Sequence, residues 1–178
     1  VNNPTGITYI RPRGPLERNG GGILRIEGNR WLVTLYGYDG AALEQSIDGL
    51  LQSARQLPDG LIYDLIKDAV LLSEIDRYKI RSVYCRNLKA ADLPARILVG
   101  GDAICRLDPV FGQGVTMICI YADILRSIVR SASDLHSVQR AYFAAVNRAT
   151  FVPWQMAKTE DFRYPGIKNE RSVLTWLS

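Results

Sequence analysis

The sequence predicts an α/β fold of the α+β kind: a β-sheet with flanking helices, followed by a strand–loop–helix unit with a helical tail. Three observations carry that expectation. Residues 23–36 hold two β-rich runs around Gly28 and Asn29, a hairpin signal. Leu43, Ile47, Leu50, Leu51 and Ala54 fall at helical spacing. The wholly apolar run 97–100 leads through a Gly- and Pro-bearing loop into an unbroken apolar segment at 115–125. The switch from hairpin signals to strand–helix order near Pro94 divides the chain into residues 1–90 and residues 91–178.

In chain order, residues 6–10 read as a short strand ended by Pro12, Gly14 and Pro15, and Asn19, Gly20, Gly21 and Gly22 as a flexible turn. Three consecutive glycines invite comparison with a phosphate loop. No Lys-Ser/Thr pair follows them, however, and the next element is a hairpin rather than a helix, so they read as loop. Residues 23–27 and 30–36 form the hairpin, with Gly28 and Asn29 as a two-residue primed turn. A helix is expected over 40–57, stopped by Pro58, Asp59 and Gly60, and a second over 61–68. Residues 71–84 read as extended and are expected to join the sheet of residues 5–37. Ile75, Ile80 and Val83 do not alternate cleanly, which suggests a bulge. Residues 85–96 are a polar return.

The run 97–100 suits a strand buried on both faces, lying apart from the first sheet beside the two long helices. Residues 115–125, apolar nearly all round, predict a buried helix that ends by 131. Asp134 or Ser133 can cap the next helix, whose apolar face is Leu135, Val138, Tyr142, Ala145 and Ala149, with Arg140, Asn147 and Arg148 toward the other face. His136 reads as a solvated first-turn residue, and Pro153 with Trp154 as a break. Residues 159–166 read as a packing segment or lid.

Composition narrows the function classes. With 47% hydrophobic and 22% charged residues the chain has the balance of a soluble globular protein. The net charge of +4 comes from scattered basic residues, so no nucleic-acid or polybasic membrane signal is present. No apolar run reaches the length of a membrane span, and the first residues do not resemble a signal peptide. Proline in the middle position of Asn3-Pro4-Thr5 blocks glycosylation. Cys85, Cys105 and Cys119 are odd in number and far apart, which suggests neither a disulfide framework nor a zinc site; reduced cysteines in a cytoplasmic protein are the expectation. A single histidine argues against a metal centre or a His-dependent triad.

The chemistry-bearing stretch is 101–115. A carboxylate, Asp102, follows the apolar run, where ligands of open α/β sheets sit. Pro109 fixes a loop, and Gly112 and Gly114 open a helix whose N-terminus offers unpaired N–H groups. Lacking Cβ atoms, those glycines let a flat ligand approach the backbone.

Gly101, Asp102, Pro109, Gly112 and Gly114 together resemble the second FAD-binding motif of the group A flavoprotein monooxygenases, the para-hydroxybenzoate hydroxylase-like family. Residues 20–22 and 26–35 also look like the substrate-domain sheet of one subgroup of that family, and residues 159–166 like its C-terminal region. The resemblance implies a partial Rossmann-type FAD-binding unit in 91–178 and part of a substrate domain in 1–90. It implies that Asp102 hydrogen-bonds the ribityl chain of FAD and that Pro109 shapes the loop beside the isoalloxazine ring. The backbone at Gly112, Gln113, Gly114 and Val115 would face the flavin's pyrimidine edge. The implied activity is that of an oxidoreductase: NAD(P)H reduces the flavin, and oxygen supplies an atom to a small organic, often aromatic, substrate. By the same resemblance the substrate lies between the motif and the sheet of residues 5–37, with Tyr9, Trp31, Tyr36 and Tyr84 as candidate lining residues.

The family's first fingerprint, a strand, Gly-x-Gly-x-x-Gly turn and helix that carry the FAD pyrophosphate, has no match here; Met117 stands where Gly112-Gln113-Gly114 would need its third glycine. The resemblance therefore covers about the second half of the family's length and implies a fragment or truncated gene product, inactive alone. The alternative is a non-enzymatic remnant or binding module unable to hold FAD by itself.

Overall fold

A computed structural model of the 178-residue chain describes residues 6–41, 43–80, 82–88, 93–94, 97–132 and 134–167. It divides into two compact units, one of Val1–Tyr78 with Phe162–Ser178, the other of Lys79–Asp161. Helices and small antiparallel sheets make up both, so the class is α+β.

The first unit is a three-stranded antiparallel meander, β1 (Ile7–Ile10), β2 (Asn19–Ile26) and β3 (Arg30–Gly37), in that order across the sheet. Two helices follow, α1 (Ile47–Arg55) and α2 (Leu61–Ile66). Side chains alternate across the strands, and Ile10 and Ile23 face a core completed by Ala54, Leu57, Ile62 and Ile66. Trp31, Val33 and Leu35 of β3 pack on the same core. Ser46 caps α1 by accepting a hydrogen bond from Gly49 N at 3.0 Å, and in the turn ahead of α2 Asp59 accepts from Leu61 N at 2.8 Å.

The glycines at 20–22 are not a turn. They belong to β2, with Gly20 opposite Tyr36, Gly21 opposite Leu35 and Gly22 opposite Thr34. A Cβ on Gly20 would run into the Tyr36 ring and come within 2.7 Å of Pro12 Cδ. A Cβ on Gly21 would lie 2.7 Å from Leu35 Cδ2 and 3.1 Å from Ile62 Cδ1. The strand is glycine-rich because large side chains from its neighbours lie across it on both faces. The hairpin also differs in detail. Gly28 and Asn29 both take the positive φ of a primed turn, at 70° and 56°. The ladder, however, resumes at Ile26 opposite Arg30, so Glu27 joins a three-residue connection.

Residues 71–80 do not enter this sheet; residues 69–80 form no regular element. Val70, Leu72 and Tyr78 are 81%, 70% and 84% exposed. Without alternation the segment has no face to bury, and a strand with no specified face has no specified register. Gln45 Nε2 donates to Ile75 O at 2.7 Å and ties the segment to the chain ahead of α1. The last described turn of the tail returns to this unit: Tyr164 is buried and its ring stacks on Tyr38 at 4.3 Å.

The second unit pairs a two-stranded ladder, β4 (Tyr84–Cys85) with β5 (Cys105–Arg106), beside two long helices, α3 (Gln113–Ser131) and α4 (Leu135–Asp161). Its core is Leu88, Ile104, Cys105, Leu107, Met117, Tyr121, Tyr142, Phe143, Val146 and Ala157. Tyr121 and Thr150 join the helices through a 2.8 Å hydroxyl–hydroxyl bond, and Thr150 also donates to Val146 O at 2.7 Å.

Three expectations for this half are corrected. Residues 97–100 form no strand: every strand pair among the described residues is antiparallel and none includes them. An apolar run becomes a strand only beside a ladder partner. Here side chains of α4 take its carbonyls instead, Gln139 Nε2 donating to Ile97 O at 2.9 Å and Tyr142 Oη to Val99 O at 3.1 Å. The run does lie beside α4, but Ile97 is 46% exposed. Helix α3 is not buried all round: Met117 and Tyr121 are its buried residues, while Val115, Ile118 and Val129 are more than half exposed. Finally, Pro153 does not end α4, which continues to Asp161. Proline removes one N–H from the ladder, but Val138, Tyr142, Phe143 and Val146 before it and Ala157 after it are buried in the core or within this unit, and that packing carries the helix through. Asp134 is the cap, accepting from Ser137 N at 2.8 Å. The expectations for Ser133 and for the side chains of Leu135 and His136 lie outside the described residues.

Candidate functional site

The candidate site is assembled from local turns. Gly101 sits at φ 57°, in the left-handed region that suits glycine, and opens a single 3-10 turn over Gly101–Ala103. Ile104, fully buried, anchors the turn's far end, and Gly101 lies against Ile118 of α3. The backbone thus fixes Asp102 on the outside. Its carboxylate is 69% exposed and lies 3.9 Å from Arg106 Nε. Asp102 is a surface carboxylate because Ile104 fills the interior position of this turn.

Asp108 then caps a second 3-10 turn, Pro109–Phe111, by accepting from Val110 N at 3.1 Å. Pro109 stands at the first turn position, where its missing N–H costs nothing. Gly112 at φ 63° ends that turn and opens α3. No side chain caps α3, so the amides of its first turn, those of Gly114 and Val115 included, present the positive end of a 19-residue helix. A Cβ at Gly112 or Gly114 would meet no heavy atom within 4 Å. Gln113 donates to Phe111 O at 3.3 Å, and Val115 is 75% exposed. The predicted residues Gly101, Asp102, Pro109, Gly112, Gln113, Gly114 and Val115 therefore belong to one continuous surface stretch of the second unit. An open backbone shelf at a helix N-terminus suits a flat group with electronegative edge atoms, so these residues fit the ring edge of a flavin.

Two features of the site's surroundings were not visible in the sequence. Asp161, 5% exposed, is buried at the end of α4 with Oδ1 unpartnered among the described residues. Burial, and then the neighbouring charges of Asp108 and Glu160, push its carboxyl up to about 7. Reading Pro153 as a break hid this, since Asp161 reaches the Asp108 loop only if α4 runs on. Cys85 and Cys105 face each other across the β4–β5 ladder. Hydrogen bonding between the neighbouring thiols draws Cys85 below its ordinary value, burial opposing, and pushes Cys105 up together with burial. Nothing local in the sequence signals a pairing across that separation.

The proposed lining residues divide. Tyr36 donates to Tyr9 Oη at 2.8 Å on the outer face of the first sheet, and burial and that bond raise the Tyr36 phenol well above its ordinary value. Trp31 packs on the opposite, core face. Tyr84 belongs to the second unit, its ring 5.0 Å from the Arg86 guanidinium. Among the described residues no helix is long and apolar enough to cross a membrane, and no cluster of three or more His, Cys, Asp or Glu could hold a metal ion. No known protein-family model matches the chain, and neither does any curated protein.

Proposed function

We propose that residues 101–115 bind the ribityl and ring-edge side of FAD, in an oxidoreductase of the para-hydroxybenzoate hydroxylase-like kind that acts on a small organic substrate with NAD(P)H and oxygen. The observation that carries this is the uncapped N-terminus of α3 with open space over Gly112 and Gly114. Bound FAD would supply the electron transfer and oxygen activation. The chain's own part is positioning and electrostatics. Asp102, exposed on its fixed turn, accepts a hydrogen bond from a ribityl hydroxyl. The amides of Gly114 and Val115 would hold the pyrimidine edge, and the positive helix end would favour a reduced, negatively charged ring there. Pro109 and the Asp108 cap keep the loop from collapsing onto that shelf.

A non-enzymatic binding module is the second reading. It is favoured by the absence, among the described residues, of any strand pairing with 97–100.

Titration of FAD into the isotopically labelled chain, read by backbone amide shifts, tests the first. At about 1 mM ligand, where even −4 kcal/mol of binding registers, the amides of Gly112, Gly114 and Val115 should move. Asp102→Ala should reduce the response more than Asp108→Ala does, since losing a hydrogen bond to a charged group costs roughly 1.5–3 kcal/mol. Gly114→Val adds a side chain into space empty of protein, so a folded variant that has lost the shifts would locate the ligand there. A wild-type chain whose 101–115 amides stay still at that concentration rejects the assignment.

A further inference from the structure

We propose that Cys85 and Cys105 are a redox-modification site: a dithiol that a hydroperoxide converts reversibly into a cross-strand disulfide. The inference stands on the second unit's ladder and is independent of the flavin reading.

The two residues are direct partners in the β4–β5 register. One residue outward, Arg86 N donates to Ile104 O at 3.0 Å. In an antiparallel ladder hydrogen-bonded and non-hydrogen-bonded pairs alternate, so Cys85 and Cys105 are a pair of the second, closer kind, with Cα atoms about 4.5 Å apart. Disulfides span Cα separations of about 4.4–6.8 Å. Paired residues point to the same face of a ladder, so the two thiols lie side by side. No backbone rearrangement is needed to join them.

The two cysteines differ in a way that assigns their roles. Cys85 is half-buried, whereas Cys105 is 7% exposed in the core. Cys85 is thus the thiol a small oxidant reaches, and the hydrogen bond from Cys105 favours its thiolate. The Cys85 thiolate attacks the outer oxygen of the hydroperoxide. The O–O bond breaks, an alcohol leaves after taking up a proton, and Cys85 becomes a sulfenic acid. The Cys105 sulfur then attacks the Cys85 sulfur. The S–S bond forms, the S–O bond breaks, and hydroxide departs with the Cys105 proton as water. Two thiols and one hydroperoxide give one disulfide, one alcohol and one water. Cys119, exposed on α3, is a built-in control.

The test uses the full chain, reduced and then treated with excess hydrogen peroxide. Remaining thiols are alkylated, and the protein is digested and mapped without reduction. The expected product is a Cys85 peptide linked to a Cys105 peptide, lighter by two hydrogens, abolished by dithiothreitol and present equally in Cys119→Ser. Cys85→Ser should leave Cys105 fully alkylated. If that variant fails to fold, the wild-type map still decides. Recovery of Cys85 and Cys105 as separate alkylated or sulfinic peptides, at a dose that oxidises Cys119, overturns the proposal.

Discussion

The two units solve the same packing problem with different materials. In the first, the core residues Ile10, Ile23, Ala54, Leu57, Ile62 and Ile66 are all apolar, and close approach between strands is obtained by deleting side chains at Gly20 and Gly21. In the second, the core around Ile104, Met117 and Val146 also encloses Thr150, Asp161 and a thiol pair. Apolar burial is indifferent to pH and oxidants, whereas buried ionisable groups tie stability to both. The unit with open helix amides is also the one that buries a carboxylate, Asp161, and the Cys105 thiol.

The largest expected effect on this contrast is at Asp161. Its carboxyl holds its proton in the folded chain up to about 7, against an ordinary value of 3.8. Between those values the unfolded chain releases a proton that the folded chain keeps, so stability falls as pH rises and levels off above about 7. The fall amounts to about 4 kcal/mol at 1.4 kcal/mol per pH unit. Denaturant melts of wild type and Asp161→Asn from pH 4 to pH 8 should show the decline in the first and a nearly flat profile in the second. Parallel profiles would mean that the second unit's interior is as indifferent to pH as the first's.

Gly20→Ala attacks the other side. The added methyl meets the far end of the Tyr36 ring and Pro12 Cδ, and overpacking of this kind costs about 1–3 kcal/mol. Hydrogen exchange should accelerate across residues 7–37 and stay unchanged in 105–161. Equal acceleration in both would show one cooperative unit where two are described. The mildest test is Tyr121→Phe. It removes the hydroxyl that joins α3 to α4 but leaves Thr150 its bond to Val146 O. A loss of about 1 kcal/mol is expected, confined to the second unit and read as a small shift of the denaturation midpoint.

Much of this was legible in the sequence wherever the signal is local. Gly28 and Asn29 announced the hairpin, Leu50 and Ala54 the first helix, and Pro109 a fixed loop. The failures are all cases in which a distant partner decides. Gly20 and Gly21 read as a turn because glycine is ambiguous until Tyr36 and Leu35 are seen lying across it. Residues 97–100 read as a strand because an apolar run does not announce whether a ladder partner exists. Pro153 read as a stop because the packing of Val146 and Ala157 that carries the helix past it is non-local. For the site, the proline-fixed loop and the glycines that open α3 were readable. The exposure of Asp102, the reach of Asp161 and the Cys85–Cys105 pairing depend on tertiary placement.

Tyr164, stacked on Tyr38, has a consequence for the order of assembly. The first unit is discontinuous in sequence: it is completed by chain that follows the whole of residues 79–161. During synthesis its sheet and both of its helices emerge long before Tyr164 does, so Tyr38 must wait, half-covered, for a partner 126 residues away (164 − 38). Joining such remote points is entropically costly in a floppy chain, though the cost grows only logarithmically with length. If the intervening unit folds first, fewer free residues remain in the loop to be closed. Docking of Tyr164 then comes late, and contacts made after the transition state mostly slow unfolding.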